Sequence, residues 1–432
     1  MKKSVYLFLV VLSLIMVNSC DKNTATIDLE QPAVAKIETG YRTINDAIAI
    51  AEKATSMLTA ESVTRSNIRR VDISNIGMLM SDNSTRAEAL DADTLMYIVN
   101  FEDNQGFALV PKNENAPELL AITDSGSYNG ENTDNVGFNM YVDYALSDLE
   151  RLNNVQPNGQ IIVPITEWDL LELSDTTYVA PKLRTQWHQH SPFNKNCFVF
   201  GLPSGTSCPA GCVAIAMAQI MAYHRYPETI NITHRNNQAP IPLMWDVWEE
   251  NYNYDTIRLP MFIRELGALV DMQYAPNNSS SQTPRAIAAF SSLGYNVGSY
   301  TQFGRDVILL SLDDDCPLMI RGVHNVYNGG HSWVSDGYIV IDKTSIYRTR
   351  EQGAIYWDEQ YRESETKTYL HFNWGYENGR ENGYYLFHIN RVDQYGDVTS
   401  GYSSQYKSNE LTDFLVNFNN NICVIPFIKP NN

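Results

Sequence analysis

SCPAGCVAIAMAQIMAYHRYP, residues 207–227, is the stretch from which the organisation of this chain is best inferred. It begins with small and turn-forming residues, and its alanines favour a helix that no Gly or Pro interrupts before Pro227. Cys212 is therefore predicted at the first turn of a mostly apolar, buried helix. Unpaired backbone N–H groups there carry about half a positive charge, which favours thiolate over thiol. The residues alone leave two interpretations open, a nucleophile or a small buried core side chain.

The composition is that of a globular protein with an acidic surface. The chain has 432 residues, 44% hydrophobic content and 26 tyrosines, enough for two or three domains with cores of their own. Its net charge of −19, from 31 basic and 50 acidic residues, argues against a nucleic-acid partner, because phosphate neutralisation needs clustered Lys and Arg. The balance suits an exported protein.

Residues 1–20 have the pattern of an export signal. Lys2 and Lys3 precede an apolar run over 5–17, which is too short to span a membrane comfortably. The run ends in Val-Asn-Ser-Cys, which resembles a bacterial lipobox with Cys20 as the lipidated residue. Two outcomes stay open: a lipid anchor at Cys20 on an outer-membrane or surface protein, or cleavage near Ser19 and secretion.

Five cysteines remain after Cys20, which implies at least one free thiol in an exported protein. Cys208 and Cys212 with His224 offer three candidate zinc ligands, but a fourth is missing and a helix would carry His224 about three turns from Cys212. We therefore expect no metal and no other cofactor.

The amino-terminal part is predicted to be a small α+β unit of its own. Its elements are a helix over 43–57, strands over 94–101, 106–111 and 119–123, and a helix over 140–152. Loop-like sequence over 153–164 and a polar, irregular stretch over 175–182 predict a domain boundary between about 153 and 187. Lys182 and Arg184 are basic points at which a processing protease could cut.

The second half is predicted to place helices first and an antiparallel sheet after them. Helices are expected over 260–270, 283–293 and 306–312, with a flexible loop over 277–282. Strands are expected over 316–323, 332–341, 367–372, 384–389 and 422–428. The predicted class is therefore α+β.

A nucleophilic cysteine needs a base, a group that orients the base, and donors for the oxyanion. His331 follows paired glycines and opens a strand, although His324, His371 and His388 also lie in the sheet region. Asn373 could hold a histidine ring in its useful tautomer, with the Trp374 indole shielding that hydrogen bond from water. Gln189 could donate to an oxyanion beside the backbone N–H of Cys212, or be an ordinary loop amide.

These segments resemble the streptopain family of papain-like cysteine peptidases, which are bacterial secreted zymogens. Gly-Cys-Val-Ala over 211–214, Ala-Gln-Ile-Met over 218–221 and Tyr-His-x-Tyr-Pro over 223–227 are similar to its catalytic helix. The other similar segments are Trp187-x-Gln189-x-x-Pro192-Phe193-Asn194, Gly329-Gly330-His331 with Val334-x-Asp336-Gly337, Phe372-Asn373-Trp374-Gly375 with Asn382-Gly383-Tyr384-Tyr385, and 424–430. The resemblance covers 183–430 fully and 21–182 only as a pro-segment of suitable length and α+β character.

The resemblance implies an inhibitory pro-domain over 21–182 and a papain-like cysteine peptidase domain over 183–432, with a helical subdomain packed on an antiparallel β subdomain. It implies that Cys212 is the nucleophile, His331 the base, and Gln189 with the Cys212 N–H the oxyanion donors. Asn373 and Trp374 would steady the imidazole. Gly330, Ser280 and Ser281 would bind substrate, which the family prefers with a hydrophobic residue just before the one at the scissile bond. The implied partners are protein or peptide substrates and the chain's own pro-domain.

Two features depart from the family pattern. Cys197 and Cys208 are extra, so that a second reactive thiol or a disulfide is conceivable, and the loop over 342–367 is longer than the pattern requires. Two rival functions remain: a catalytically spent scaffold acting as a surface adhesin or inhibitor, and acyl transfer by the same Cys–His dyad.

Overall fold

The computed structural model describes residues 40–57, 69–80, 94–153, 167–199, 203, 206–233, 240–324, 329–350, 356, 358–393, 418–419 and 421–431. The predicted export signal over 1–20 and Cys20 lie outside these residues. In the described part of the chain, no helix is both long enough and apolar enough to cross a membrane.

The described α-helices are α1 (Ile44–Met57), α2 (Val136–Asn153), α3 (Cys212–His224), α4 (Trp245–Asn251), α5 (Arg258–Leu269), α6 (Arg285–Ser292) and α7 (Arg305–Asp313). The described strands are β1 (Val71–Met80), β2 (Thr94–Phe101), β3 (Phe107–Pro111), β4 (Ala121–Thr123), β5 (Glu167–Val179), β6 (Thr229–Ile230), β7 (Ile241–Pro242), β8 (Tyr295–Asn296), β9 (Thr301–Gln302), β10 (Leu318–His324), β11 (Gly329–Arg350), β12 (Asp358–Asn373), β13 (Gly383–Asp393), β14 (Ile422–Ile425) and β15 (Lys429–Pro430). Helices precede the main antiparallel strands in the second half, which confirms the predicted α+β class.

Local sequence signals explain the amino-terminal elements. The Thr43 hydroxyl accepts from the Asp46 N–H at 3.2 Å, and the Thr43 N–H donates to the Asp46 carboxylate at 2.8 Å, a reciprocal cap at the start of α1. The Asn135 side chain accepts from the Phe138 N–H at 3.0 Å and caps α2, which begins four residues before its predicted start.

A single antiparallel sheet joins the two halves of the chain. Its order among the described strands is β1-β2-β3-β4-β13-β12-β11-β10-β14-β9, with β5 paired to β11 outside this path. The junction is the pairing of Gly383 with Thr123, Tyr384 with Ile122 and Tyr385 with Ala121. The amino-terminal α+β part is therefore continuous with the sheet of the second half, rather than a spatial unit of its own.

Two stretches predicted to be irregular form a three-stranded arm. The loop expected over 342–367 consists mostly of the outer parts of β11 and β12, which pair from Val334↔Asn373 to Thr349↔Asp358. Residues 175–179 belong to β5, which pairs with β11 from Tyr338↔Val179 to Arg350↔Glu167. Both predictions were wrong because these strands are rich in polar residues and β5 is largely exposed, so no apolar alternation marks them.

The predicted processing point at Lys182 lies in an anchored segment. The backbone N–H of Lys182 donates to the Asp336 carbonyl at 3.1 Å, and that of Leu183 donates to the Asp336 carboxylate at 2.7 Å. The Lys182 ammonium contacts Asp315 at 2.6 Å and its side chain is 13% exposed. A protease would have to detach this backbone before cutting at Lys182.

Two hydrophobic cores flank the sheet. The first, here the shared core, combines side chains from the amino-terminal part with side chains from β10 to β14, including Phe107, Phe138, Tyr141, Phe372, Tyr385 and Phe387. The second, here the helical core, surrounds α3 and is built from residues that follow position 180, including Trp187, Ile215, Trp248, Phe262 and Phe290.

Candidate active site

Cys212 is the first residue of α3. Gly211 before it has φ 92°, a backbone angle that favours glycine, and the side chain of Met272 lies where a Cβ at Gly211 would be. Burial by itself raises the pKa of Cys212, but a hydrogen bond and charge from His331, together with the backbone N–H of Ser332, outweigh it and lower the pKa below its usual value. The start of α3 therefore favours the thiolate.

His331 is buried on β11, opposite Gly322 of β10. Its Nε2 lies 2.8 Å from the Trp374 carbonyl oxygen. Because a carbonyl only accepts, Nε2 carries the hydrogen and donates, which leaves Nδ1 able to take the thiol proton. The Trp333 ring lies nearly parallel to the imidazole, at 6.1 Å between centroids.

Asn373 does not hold the imidazole through its amide, contrary to the prediction. Its Oδ1 accepts from Gln219 Nε2 at 3.1 Å and its Nδ2 donates to the Thr185 carbonyl at 2.9 Å. The backbone carbonyl of Trp374, one residue later, takes the orienting position instead. The physical reason is that Gln219, a fully buried polar side chain on α3, uses the Asn373 amide as its partner.

The predicted oxyanion residue Gln189 lies beside the start of α3. Its backbone carbonyl accepts from the Ala210 N–H at 2.8 Å, two residues before Cys212, and its side chain is half-buried. Gln219 Oε1 accepts from the Trp187 N–H at 3.1 Å and so ties the Gln189 segment to α3. The role of Gln189 as a donor stays a prediction.

The predicted substrate-binding residues lie in two segments, one on β11 and one before α6. Gly330 is exposed and immediately precedes His331. Ser280 exchanges backbone hydrogen bonds with Gln273, the residue after Met272, whereas the Ser281 hydroxyl donates to the Val270 carbonyl at 2.5 Å. Substrate binding by the three residues remains a prediction, and for Ser281 the hydroxyl already has an internal partner.

Thr283 and Ser332 are two further residues beside the candidate site, and the sequence did not indicate them. The Ser332 hydroxyl lies 2.7 Å from that of Thr283, and both residues are buried. This pair links the segment before α6 to the strand that carries His331, and it fixes the residue whose N–H reaches the Cys212 thiol. No motif marks two hydroxyls that are 49 residues apart.

The other described cysteines differ from Cys212. Cys197, Cys208, Cys316 and Cys423 are all free, so the conceivable Cys197–Cys208 disulfide is not formed. Burial raises the pKa of Cys197 to about 11 and that of Cys316 to about 11, which keeps both as thiols near neutral pH.

Among the groups the structure describes, no cluster of three or more His, Cys, Asp or Glu could hold a metal ion. His224, one of the three candidate zinc ligands, has its Nε2 2.8 Å from the Ile428 carbonyl.

The first turn of α2 lies directly against the imidazole. A Cβ added at Gly137 would be 2.5 Å from Trp374 Cε3 and 2.9 Å from His331 Cδ2. The Val136 N–H donates to the Tyr376 hydroxyl at 3.2 Å, and the Tyr376 ring lies 5.3 Å from that of His331. The amino-terminal part of the chain therefore covers the His331 imidazole.

A second titratable cluster joins the same two parts of the chain. His371 Nδ1 lies 2.6 Å from the buried Asp336 carboxylate, and Nε2 lies 2.8 Å from Asp124, which follows β4. Burial by itself lowers the pKa of His371, but the two carboxylates outweigh it and raise the pKa to about 10. His371 is thus a charged link across the sheet rather than a rival base.

Comparison with known proteins bears on this geometry. The Peptidase C10 family matches residues 187–385, a span that contains Gln189, Cys212, His331, Asn373 and Trp374. Streptopain of Streptococcus pyogenes serotype M28 (strain MGAS6180) is similar, with 25% identity over 288 residues, 56% of this chain and 68% of streptopain.

Further similarities are partial. The thiol protease/hemagglutinin PrtT of Porphyromonas gingivalis is 23% identical over 332 residues, which is 69% of this chain and 34% of PrtT. The solved prointerpain A fragment 39–359 of Prevotella intermedia has a TM-score of 0.48 and 19% identity, covering 79% of this chain and 97% of the fragment.

Proposed function

Because this chain is a streptopain-like cysteine peptidase of the papain type, as its motifs predicted, we propose that it is an exported endopeptidase that hydrolyses peptide bonds through Cys212 and His331. We further propose that it is made as a zymogen, in which the pro-domain over 21–182 keeps the peptidase domain over 183–432 closed.

The proposed reaction begins when His331 Nδ1 takes the proton of the Cys212 thiol. The thiolate attacks the substrate carbonyl carbon, and the oxyanion accepts hydrogen bonds from the Cys212 N–H and the Gln189 side chain. The imidazolium then gives its proton to the leaving amine as the C–N bond breaks. Water, deprotonated by His331, hydrolyses the thioester. The Trp374 carbonyl holds the ring in the required tautomer throughout.

One observation carries this proposal: contact with His331 lowers the pKa of the Cys212 thiol at the start of α3, against the effect of burial. That contact lowers the pKa of Cys212, whereas burial raises the pKa of Cys197 in the same core. The two thiols therefore differ in the property that decides nucleophilicity.

The test is modification of the thiol by an epoxide inhibitor at neutral pH, together with a peptidase assay. We expect one label per chain, on Cys212, and complete loss of labelling and activity in Cys212→Ala. Cys423→Ala is the matched control, since Cys423 is a half-buried free thiol on β14. A folded Cys212→Ala chain that still cleaves peptides would refute the assignment. An activated wild-type chain that takes no label would favour the adhesin or inhibitor function, and transfer of the acyl group to added amines would favour acyl transfer.

The zymogen proposal is supported by the cover that α2 places over His331. Amino-terminal sequencing of the activated product, alongside a time course of activity, tests where the covering part ends. We propose a new terminus between about 169 and 187. A terminus before Glu167 would mean instead that β5 stays paired with β11 in the active form, and full activity in the uncut chain would refute latency.

Export and a lipid anchor at Cys20 are also proposed, on the pattern of residues 1–20 alone. Mass spectrometry of the amino-terminal peptide from the native host tests them. A peptide that begins at Cys20 with attached acyl chains is the expected result, and an unmodified terminus near Ser19 would indicate secretion.

A further inference from the structure

Four consecutive residues of the amino-terminal part run along the imidazole side of the site. Their contacts, in chain order, are Asp134 with Arg380 (2.9 Å), the Asn135 amide with Glu381 (3.2 Å), the Val136 N–H with the Tyr376 hydroxyl (3.2 Å), and Gly137 with Trp374 and His331. The segment thus meets the 374–381 loop through one ion pair, two hydrogen bonds and one close packing contact.

Glu381 is an unusual partner because its carboxylate is buried. The residue is 6% exposed, and its backbone carbonyl accepts hydrogen bonds from Trp374 Nε1 at 3.0 Å and from the Tyr385 hydroxyl. Burial raises the pKa of Glu381, and the Asn135 amide opposes that rise. A buried carboxylate needs donors, and here a side chain of the amino-terminal part supplies one.

The chemistry of the proposed reaction defines which part of a substrate would lie here. His331 passes its proton to the leaving amine, so the residues that follow the scissile bond must lie on the His331 side of Cys212. Trp374, Tyr376 and Glu381 lie on that side, since Tyr376 contacts the imidazole and the Trp374 carbonyl holds it. Asn135 and Val136 therefore occupy the place of a substrate's leaving-group segment.

We propose that Tyr376 and Glu381 form a leaving-group subsite, in which the Tyr376 hydroxyl accepts a substrate main-chain N–H and Glu381 selects an amide or cationic side chain. The preferred substrates are peptides with Asn, Gln, Lys or Arg after the scissile bond. This inference rests on the proposed peptidase function. In the uncut chain, Asn135 and Val136 satisfy the same two acceptors.

The test uses the full chain after activation and four sets of internally quenched peptides. The sets differ only in carrying Lys, Asn, Leu or Glu at one of the first three positions after the scissile bond. We expect kcat/KM for Lys and Asn to exceed that for Glu by on the order of tenfold at one position. Glu381→Gln should lose the preference for Lys and keep that for Asn, and Glu381→Lys should favour Glu. Glu377→Gln, an exposed carboxylate in the same loop, should leave the ranking unchanged.

The outcomes separate the subsite from the function. If the wild type and both Glu381 variants cleave all the peptides with the same order of kcat/KM, the subsite proposal is refuted and the peptidase function is not affected. Cleavage of none by the activated wild type would overturn both. Thermal unfolding and epoxide labelling of Cys212 report whether each variant is folded. If Glu381→Lys is not folded, Tyr376→Phe provides the test. We expect this variant to raise KM for the peptides and to leave their order of kcat/KM unchanged, and an unchanged KM would contradict the role of the hydroxyl.

Discussion

The two cores of this protein differ in how much they depend on the amino-terminal part. The helical core packs around α3 and draws its described members from beyond residue 180, so the element that carries Cys212 is complete without the preceding chain. The shared core, which contains Trp333 and Trp374 beside His331, also contains Phe138 and Tyr141 of α2. On the proposed mechanism, latency therefore acts on the base and leaves the nucleophile in place.

Matched truncations of one phenylalanine in each core give the largest expected effect. Phe138 and Phe262 are fully buried, and replacing either by Ala should lower the free energy of unfolding by about 3–5 kcal/mol. Only Phe138→Ala should also raise the peptidase activity of the uncut chain, because it loosens α2 over His331. Urea unfolding and a peptide assay on each uncut variant measure the two effects. An equal change of activity in both variants would contradict the comparison.

Gly137→Ala tests the contact of α2 with the base directly. The added Cβ would lie 2.5 Å from the Trp374 ring, and crowding of this kind costs about 1–3 kcal/mol. We expect the start of α2 to move away, and epoxide labelling of Cys212 in the uncut chain to quicken on the order of tenfold. Ser147→Ala, at an exposed position on the same helix, is the control and should label at the wild-type rate.

The link between Asp124 and His371 should make the stability of the uncut chain depend on pH. The folded pKa of His371 is raised to about 10, above its ordinary value of 6.5, so the contribution of the ionised ring is full below about 6.5 and is lost as the pH rises through 10. Since the Asp124 side chain is 42% exposed, we expect Asp124→Asn to cost only about 1 kcal/mol at pH 6 and less at pH 10. Thermal unfolding of wild type and variant across this range measures the difference, and a constant difference would count against the link.

Two exposed ion pairs should have the smallest effect on labelling of Cys212, and comparing them shows which contact is responsible. The ion pair of Asp134 with Arg380, at 2.9 Å, joins the amino-terminal part to the 374–381 loop. The ion pair of Arg225 with Asp246, at 2.8 Å, joins the end of α3 to α4. Asp134→Asn and Asp246→Asn should each change the free energy of unfolding by less than about 1 kcal/mol. Only Asp134→Asn should speed labelling of Cys212 in the uncut chain, by less than about threefold, and added salt should abolish the gain. A salt-independent gain would point to a change of shape rather than of charge.

Local signals allowed much of this structure to be predicted. The apolar helix from Cys212, the strand at 94–101 and the capped helix at 44–57 follow from patterns that operate within one element. His331 and Trp374 were predicted to be site residues because they stand in motifs that resemble those of the family. The orienting group was wrongly predicted to be the Asn373 amide instead of the Trp374 carbonyl, because every residue has a carbonyl and only geometry shows which one is used.

Long-range pairing accounts for what the sequence could not indicate. The seam between β4 and β13 joins residues about 260 apart, and no residue type marks it. β5 and the outer part of β11 are rich in polar side chains and pair with each other, so backbone pairing rather than an apolar pattern defines these strands. No local sequence signal marks Tyr376 and Glu381 either, because their partners are residues 135–136, which are distant in the chain.

The seam between β4 and β13 also bears on what a cut in the chain would achieve. Before the cut, the covering part is tethered, and its effective concentration at the sheet is of millimolar order whatever the dilution. After the cut, the same backbone hydrogen bonds and the same apolar contacts hold it as a separate molecule, which obeys mass action. Activity would then depend on the concentration of the cut protein. At high concentration the covering part would rebind, and at low concentration it would dissociate and leave the enzyme active.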